Sequence, residues 1–338
     1  MRLIILAFSS LLFATSPLLG QIEDFPQTDF KKADSIAQLY PDHSLADLKG
    51  LSDKLTSPLP SDVEKFRALY TWVCLNIDND YRLFYKNQHN RKKLSDNPEA
   101  LDTWNKKFSI VVFKTLRNKR STVCTGYAYL LRELALYAGI SCLIVDGYGR
   151  TAQSNIGGEG IPNHSWTAVQ LNNKWYLCDA TWSSGAIDTQ EKKFVKHYND
   201  IYFLLDPELF IRNHYPQDTT KMLLQNGPTL TEFLNRPLIY NSIFQYNIKQ
   251  LRPETFEVTA KKGEPVFFEF SKNDRVIEMV ELSIKGPGGI SSIRPSFQQD
   301  ASGLTSIAHT FTMKGTHIVH VLLNNSYAFT YTIKVIKE

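Results

Sequence analysis

Apolar residues recur at helical spacing in several segments of the first half of the chain. The best defined segment follows Ser61, where Glu64 three residues later completes the pattern of a capping box at a helix start. Its apolar positions share one helical face, namely Phe66, Leu69, Tyr70, Val73 and Cys74. Two further helices are predicted, from near Pro98 to Lys114 and from Thr125 to Ala138, the latter stopped by Gly139.

Less regular patterns predict loops and short elements around these segments. The polar and basic stretch 82–107 predicts a surface loop that leads into the second helix, and its run Arg91-Lys92-Lys93 fits a solvated face. Residues 194–211 predict a short helical stretch. Residues 215–228 contain two Pro and one Gly, and they predict a linker.

Three apolar runs near the middle of the chain, ISCLIVDGY, HSWTAVQL and KWYLCDATW, predict strands. Asn172-Asn173 separates the last two and tolerates the positive φ of a hairpin turn. With these turn residues, His164 faces Thr181 and Trp166 faces Asp179, all on one side of the sheet. His164 and Asp179 are then diagonal neighbours within hydrogen-bond reach. A carboxylate that orients an imidazole is part of a nucleophile–base–acid triad.

The pattern changes again towards the C-terminus. Short strand-like runs with Gly, Pro and Asn between them fill residues 229–338, and no long helical pattern remains. Such runs are typical of an all-β sandwich of the immunoglobulin type.

The composition is that of an ordinary globular protein and excludes several classes. Of 338 residues, 43% are apolar and 21% are charged, which excludes a mostly disordered chain. The net charge is only +4 and is spread along the chain, so nucleic acid is not an expected partner.

The first twenty residues predict export. Arg2 precedes an apolar run from Leu3 to Phe13, which is typical of a signal peptide, with cleavage expected after Gly20. The run is short for a membrane span, and no later stretch is long and apolar enough to form one. We therefore expect a secreted or periplasmic protein with no stable membrane insertion after cleavage.

Cys124 is the one cysteine of four whose setting predicts reactivity. It stands at the start of the third predicted helix, where free N–H groups and a partial positive charge stabilise a thiolate. Cys74, Cys142 and Cys178 lie in apolar runs and are expected to be buried small hydrophobic residues. A Cys142–Cys178 bridge would need neighbouring strands and is not predicted.

Spacing alone leaves two interpretations of Cys124 and His164 open. A Cys followed by a His on a later strand is compatible with a papain-like active site, and equally with a core cysteine and a hydrogen-bonded hairpin histidine. His317 and His320 would point to opposite faces of a strand. No metal site and no cofactor are therefore predicted.

Three sequence blocks resemble the transglutaminase-like superfamily, especially its kyphoscoliosis peptidase-like branch. The blocks are VCTGYA from Val123, HSW from His164 and DATW from Asp179. The later segment YFLLDPELFIRNHYP and the earlier helix SDVEKFRALYTWVCLNIDNDY resemble the same branch. The resemblance covers residues 45–225, and Thr122 stands where that branch commonly has Gly.

The resemblance implies an α+β fold class, with a papain-like transglutaminase core followed by an all-β immunoglobulin-like sandwich. It implies Cys124 as nucleophile, His164 as base and Asp179 as the group that orients the histidine. The expected domains are a signal peptide (1–20), an N-terminal lead-in (21–60), a transglutaminase-like domain (61–226) and a β-sandwich domain (229–338).

The expected function is cysteine-based acyl transfer on a peptide or glutamine-type amide. Hydrolysis would make the protein a peptidase, and transfer to an amine would make it a transglutaminase; both stay open. The expected partner is a protein or peptide substrate, with a cell-surface or cell-wall peptide as one candidate. Trp166, Tyr127 and Trp182 are candidates for the substrate site, or else core aromatics. The rival hypothesis is a catalytically inactive binding or scaffold module.

Overall fold

A computed structural model describes residues 21–152, 154–188, 191–272, 276–297, 299–300 and 303–337. The predicted signal peptide, residues 1–20, lies outside these described residues. No helix within the described ranges has the length and apolar character needed to cross a membrane.

The α-helices of the described residues are α1 (Lys31–Ala37), α2 (Leu48–Thr56), α3 (Asp62–Asn76), α4 (Tyr81–Lys93), α5 (Pro98–Lys119), α6 (Cys124–Tyr137), α7 (Ala180–Ser184), α8 (Pro207–Phe210), α9 (Leu230–Asn235) and α10 (Ser242–Gln245). Two short 3₁₀ helices lie at Gln21–Asp24 and Thr219–Met222.

The strands of the first two thirds of the chain are β1 (Asp78–Asn79), β2 (Ser121–Thr122), β3 (Cys142–Gly149), β4 (His164–Leu171), β5 (Lys174–Cys178), β6 (Gly185–Asp188), β7 (Lys193–Lys196), β8 (His214–Pro216) and β9 (Leu238–Ile239). Those of the last third are β10 (Ile248–Arg252), β11 (Glu257–Lys261), β12 (Pro265–Lys272), β13 (Val280–Gly286), β14 (Gly289–Ile293), β15 (Leu304–Thr310), β16 (Gly315–Leu323) and β17 (Ser326–Ile336).

A shared hydrophobic core joins the N-terminal helices to the central sheet. The sheet has the antiparallel order β5-β4-β3-β8. Helices α1, α2, α3 and α6 contribute buried side chains to the same core, among them Ala33, Leu51, Leu69 and Leu130. Residues 21–60 therefore pack as part of the core, beside the sheet that carries His164.

Helix α3 lies behind the strand ends that carry the candidate site. Ser61 caps it and forms the predicted capping box with Glu64. From the buried face of α3, the Tyr70 hydroxyl donates to the Asp179 carbonyl oxygen at 3.0 Å, and the Cys74 thiol donates to the Ala180 carbonyl oxygen at 3.4 Å. The packing of α3 thus supports the backbone on either side of the 179–180 peptide.

The β4–β5 hairpin has the predicted register but ends earlier than predicted. Asn172 and Asn173 have φ of 49° and 61°, and pairing runs as far as Thr167 and Cys178. Asp179 then leaves the sheet and caps α7, because its Oδ1 accepts the N–H groups of residues 181 and 182 at 2.7 and 3.2 Å. The prediction of a strand through DATW, with Thr181 opposite His164, is wrong.

The predicted surface loop is wrong over residues 82–93, which belong to helix α4, whereas the residues from Pro98 onwards form α5 and confirm the predicted helix. Asp80 and Asn97 cap the two helices with side-chain oxygens. No residue of α4 is fully buried, so apolar periodicity could not reveal this helix. Lys92 and Lys93 are exposed as expected, but Arg91 is partly buried and donates to the Pro162 carbonyl oxygen at 2.5 Å.

Two predictions between residues 194 and 228 need correction. The predicted helical stretch contains only the single turn of α8, and its first residues belong to strand β7. The predicted linker begins inside the sheet, because residues 214–216 form β8 and pair with β3. Both segments are too short for periodicity to separate strand, turn and helix.

The last third of the chain confirms the predicted all-β region. One sheet has the order β10-β12-β15, and the other has the order β11-β17-β16-β13-β14, with β9 paired to β17. Their facing sides share one core that includes Phe268, Leu282, Val319 and Tyr331. The α+β core followed by a β-sandwich is therefore confirmed, while the predicted domain bounds stay a prediction.

Removal of the α3 cap should destabilise the fold measurably. We expect Ser61→Ala to lower the free energy of unfolding by about 1 kcal/mol, because the backbone N–H of Glu64 loses the Ser61 hydroxyl as its acceptor. Urea unfolding measures the change. Ser95→Ala is the matched control, since that exposed hydroxyl bonds only within its own turn. Equal effects of the two substitutions would contradict this role of Ser61.

Candidate active site

Cys124 is the first residue of α6, and its thiol is partly exposed. Val123 precedes it in an extended conformation, and the short parallel pair β1–β2 holds the chain immediately before. The first-turn N–H groups of a helix have no intrahelical partner and favour a negative charge nearby. This is the setting that the sequence predicted for a reactive thiol.

The structure brings Cys124, His164 and Asp179 together. The first residue of β4 is His164, whose Nε2 lies 2.7 Å from Asp179 Oδ2. The same imidazole hydrogen bonds to the Cys124 thiol, which also receives the backbone N–H of Ser165. With Nε2 held by the carboxylate, Nδ1 is the ring nitrogen left for the sulfur. This order, thiol to imidazole to carboxylate, matches the order of a catalytic triad.

The charges of the three groups support a thiolate–imidazolium pair. Burial disfavours protonation of His164, but the charge and hydrogen bond of Asp179 raise its pKa to about 10. Burial likewise disfavours the thiolate of Cys124, yet the hydrogen bond and charge of His164 lower the pKa of the thiol below its ordinary value. The pKa of buried Asp179 is lowered, against its burial, by both neighbouring histidines. Asp179 therefore stays ionised.

The other three cysteines have the opposite electrostatics. Burial raises the pKa of Cys142 to about 12 and raises that of Cys74 and Cys178 well above its ordinary value. All four thiols are free, so the Cys142–Cys178 pair is not bridged. Only Cys124 combines exposure with a lowered pKa, as the sequence predicted.

His214, on β8, is a site residue that the sequence reasoning missed. Its Nε2 lies 3.0 Å from Asp179 Oδ2, the oxygen that also binds His164, and its ring is fully buried. Asn213 Oδ1 lies 2.6 Å from His214 Nδ1, so a neutral ring that donates from Nε2 requires the oxygen and nitrogen of this carboxamide to be exchanged, with the NH2 group donating to Nδ1. Burial lowers the pKa of His214 to about 4, so the ring is neutral and donates Nε2–H to the carboxylate. Its one signal in the sequence is the segment IRNHYP, which resembles the kyphoscoliosis peptidase-like branch without indicating a role for its histidine.

The three aromatic candidates occupy two different environments. Tyr127 is 0% exposed and donates its hydroxyl to the Ile77 carbonyl oxygen, and Trp166 is 1% exposed. Both are core residues, which corrects their prediction as substrate contacts. Trp182 is partly exposed and lies with its ring centre 5.0 Å from that of His164. It is the candidate that reaches open space beside the site.

The donor set His164, Asp179 and His214 could also hold a metal ion, since its nearest atoms lie within 4.8 Å of one another. Both histidines already hydrogen bond to the same carboxylate oxygen. These bonds satisfy Asp179 Oδ2 and give all three side chains a role without an ion. His317 and His320 instead bond to Met313 and Thr330, respectively, within the β-sandwich.

Substitution of Asp179 by Asn should separate its electrostatic role from its structural one. Asp179→Asn keeps an oxygen to cap α7 but removes the charge, so the pKa of His164 should fall well below its value of about 10, because burial is then opposed only by the hydrogen bond and charge of Cys124. An NMR titration of the His164 ring measures this fall. Asp206→Asn is the control, since Asp206 also caps a helix. An unchanged His164 titration in Asp179→Asn would contradict the assignment.

The neutral His214 should make the fold sensitive to acid. Its pKa of about 4 lies below the ordinary 6.5, so the unfolded chain binds the proton first. The associated stability is present above pH 6.5 and is lost as pH falls through about 4, by roughly 1.4 kcal/mol per unit of pKa difference.

We therefore expect the free energy of unfolding to fall less steeply from pH 7 to pH 4 in His214→Gln than in the unsubstituted chain. Urea unfolding at several pH values provides the comparison. His89→Gln, a change at an exposed histidine, is the control. Parallel pH profiles for the chain and His214→Gln would argue against a neutral buried His214.

Comparison with known proteins places this site in a family. Residues 49–180 match the transglutaminase-like superfamily. Kyphoscoliosis peptidase of Mus musculus is 29% identical over 294 residues, which are 85% of this chain and 40% of that protein. The Homo sapiens protein of the same name is 30% identical over 238 residues, 66% of this chain and 33% of the relative.

A third relative is the Lim and transglutaminase domain protein ltd-1 of Caenorhabditis elegans, 25% identical over 263 residues, which are 73% of this chain and 33% of the relative. The chain thus spans 40% or less of the length of these three relatives. Cys124, His164 and Asp179 all lie inside the matched segment. Residues 49–180 of this chain therefore form a transglutaminase-like domain.

Proposed function

We propose that the protein is an exported cysteine acyl-transfer enzyme that acts on amide groups of proteins or peptides. Cys124 is the nucleophile, and His164 is the general base and acid. Asp179 orients His164 and favours its protonated form. One observation carries the proposal: the one partly exposed cysteine of the four has its pKa lowered by an imidazole whose Nε2 lies 2.7 Å from a buried carboxylate. The N-terminal sequence supports export, and the family supports a protein substrate.

The reaction begins when the Cys124 thiolate attacks the carbonyl carbon of the amide. The oxyanion that forms is stabilised by N–H groups in the first turn of α6, the N–H of Cys124 among them. His164 then donates its Nδ1 proton to the leaving nitrogen, and the C–N bond breaks to give an amine and a thioester on Cys124. These steps need one thiolate and one imidazolium, the charge state that Asp179 favours.

The second half of the reaction returns the enzyme to its starting state. His164, now neutral, removes a proton from a water molecule or a primary amine as that group attacks the thioester carbon. The C–S bond breaks and the thiolate is released, with either a carboxylic acid or a new amide as product. Water gives a peptidase or amidase, and an amine gives a transglutaminase.

His214 acts as a positioning residue in this scheme. It donates to the carboxylate oxygen that binds His164 and fills the buried side of the carboxylate. A second fixed donor restricts rotation of the Asp179 carboxylate, so His164 is held in one orientation towards Cys124.

Mass spectrometry of reaction products tests the proposal. The mature protein and Cys124→Ala are incubated with a library of Gln-containing peptides and a tagged primary amine. We expect new products only with an intact Cys124: cleaved or deamidated peptides for hydrolysis, amine-tagged Gln for cross-linking.

A control variant shows whether the products depend on Cys124 in particular. Cys74→Ala changes a buried thiol of the same chain and should leave the products in place. Products that persist in Cys124→Ala would exclude Cys124 as the nucleophile. An absence of products from folded protein across the library would favour the rival hypothesis of an inactive binding or scaffold module.

A further inference from the structure

A cavity of about 640 Å³ lies between the transglutaminase-like core and the C-terminal part of the chain. Its size falls within the roughly 300–1,000 Å³ that is usual for ligand sites. The core contributes Phe84, Tyr85 and Trp182 among others, while Tyr240, Gln245 and Tyr327 come from the C-terminal part. The two parts of the chain therefore build this cavity jointly.

The cavity lies beside the candidate catalytic centre, although neither Cys124 nor His164 is among its lining residues. Trp182 stands in its wall and lies with its ring centre 5.0 Å from that of His164. Asn79, also in the wall, pairs with Thr122, two residues before Cys124. Trp182 and the β1–β2 pair therefore connect the wall of the cavity to the segments that carry His164 and Cys124.

The walls of the cavity contain one charged side chain, and it is buried. Arg150 is the one residue among those lining it that carries a full charge at neutral pH. Its side chain is 2% exposed, and its guanidinium donates to the backbone carbonyls of Asn155, Arg236 and Pro237. A basic ligand group would lose its hydration here without gaining a counterion, and an acidic one would meet only a buried guanidinium that already donates to three carbonyls, so neither is favoured.

The uncharged walls combine aromatic faces with amide and hydroxyl groups. Tyr85, Trp182 and Tyr240 offer rings for an apolar side chain, while Gln245 offers an amide for a peptide backbone. Two oxygens in lining residues, Asn79 Oδ1 and Thr181 Oγ1, have no hydrogen-bond partner among the described residues. Both oxygens are buried, so they add no accessible hydrogen-bonding group to the cavity.

We propose that this cavity is a substrate-specificity site, which accepts an aromatic or large aliphatic residue next to the reacting residue of a polypeptide and rejects acidic and basic ones. The inference rests on the proposed function, because the reacting amide must sit at Cys124. A peptide is favoured over a neutral sugar because the chemistry beside the cavity is acyl transfer at an amide.

Protection of Cys124 from alkylation tests the inference. Two peptide series are used, acetyl-Gly-X-Gln-Gly-amide and acetyl-Gly-Gln-X-Gly-amide, with X as Phe, Leu, Lys or Asp. The rate of Cys124 alkylation by iodoacetamide is measured by mass spectrometry with and without each peptide. In at least one series, we expect Phe and Leu peptides to slow alkylation roughly fivefold or more, and Lys and Asp peptides to leave it nearly unchanged.

Charge variants at the cavity rim sharpen the test. Gln245 is exposed at the end of α10, so Gln245→Glu should let the Lys peptides protect, and Gln245→Lys should do the same for the Asp peptides. The ratio of Lys to Phe protection should rise about tenfold in Gln245→Glu, as expected for one partly screened charge pair. Gln217→Glu changes an exposed residue outside the cavity, so protection by the Lys peptides and by the Asp peptides should stay as in the unsubstituted protein.

The outcomes separate this inference from the proposed function. Rapid alkylation of Cys124 with equal protection by all peptides would overturn the cavity inference and leave the function standing. If Cys124 reacts no faster than a free thiol, the proposed function fails, and calorimetry with Cys124→Ala then decides the cavity: selective binding of Phe or Leu peptides upholds it, and no binding overturns it. Protection by a neutral oligosaccharide but by no peptide would also overturn it.

Discussion

A single buried carboxylate, that of Asp179, holds the functional part of this fold together. Its Oδ2 binds two histidines, and its Oδ1 caps the helix that carries Trp182. Burial alone would favour the neutral acid, so the ionised form depends on these donors. The same charge raises the pKa of His164 and, through it, lowers that of Cys124. Helix packing, histidine orientation and thiol reactivity therefore depend on one ionised group.

The sequence predicts much of this arrangement because its main signals are local. The capping box at Ser61, the turn at Asn172-Asn173 and the start of α6 at Cys124 each follow from a few adjacent residues, and the structure confirms all three. The hairpin register brings His164 close to the end of β5. The contact between Asp179 and His164 was predicted, but with Asp179 on a strand. In the structure, Asp179 contacts His164 from the N-cap of a helix.

The remaining features depend on contacts between distant segments, to which local patterns give no access. His214 meets Asp179 only because the three-residue strand β8 pairs with β3. Helix α4 buries no residue fully and so shows no apolar face. The cavity beside Trp182 needs side chains from both parts of the chain, among them Tyr85 and Tyr240. Family resemblance names the reactive residues, but it does not describe the surface that selects a substrate.

The most direct test of the central claim is the pH dependence of alkylation at each of the four cysteines in the native protein, read by mass spectrometry. The account predicts that Cys124 reacts with an apparent pKa clearly below the ordinary thiol value of about 8.5, while Cys74, Cys142 and Cys178 stay unreactive until the chain unfolds. A Cys124 midpoint at or above the ordinary value would contradict the claim that Asp179 and His164 hold a thiolate.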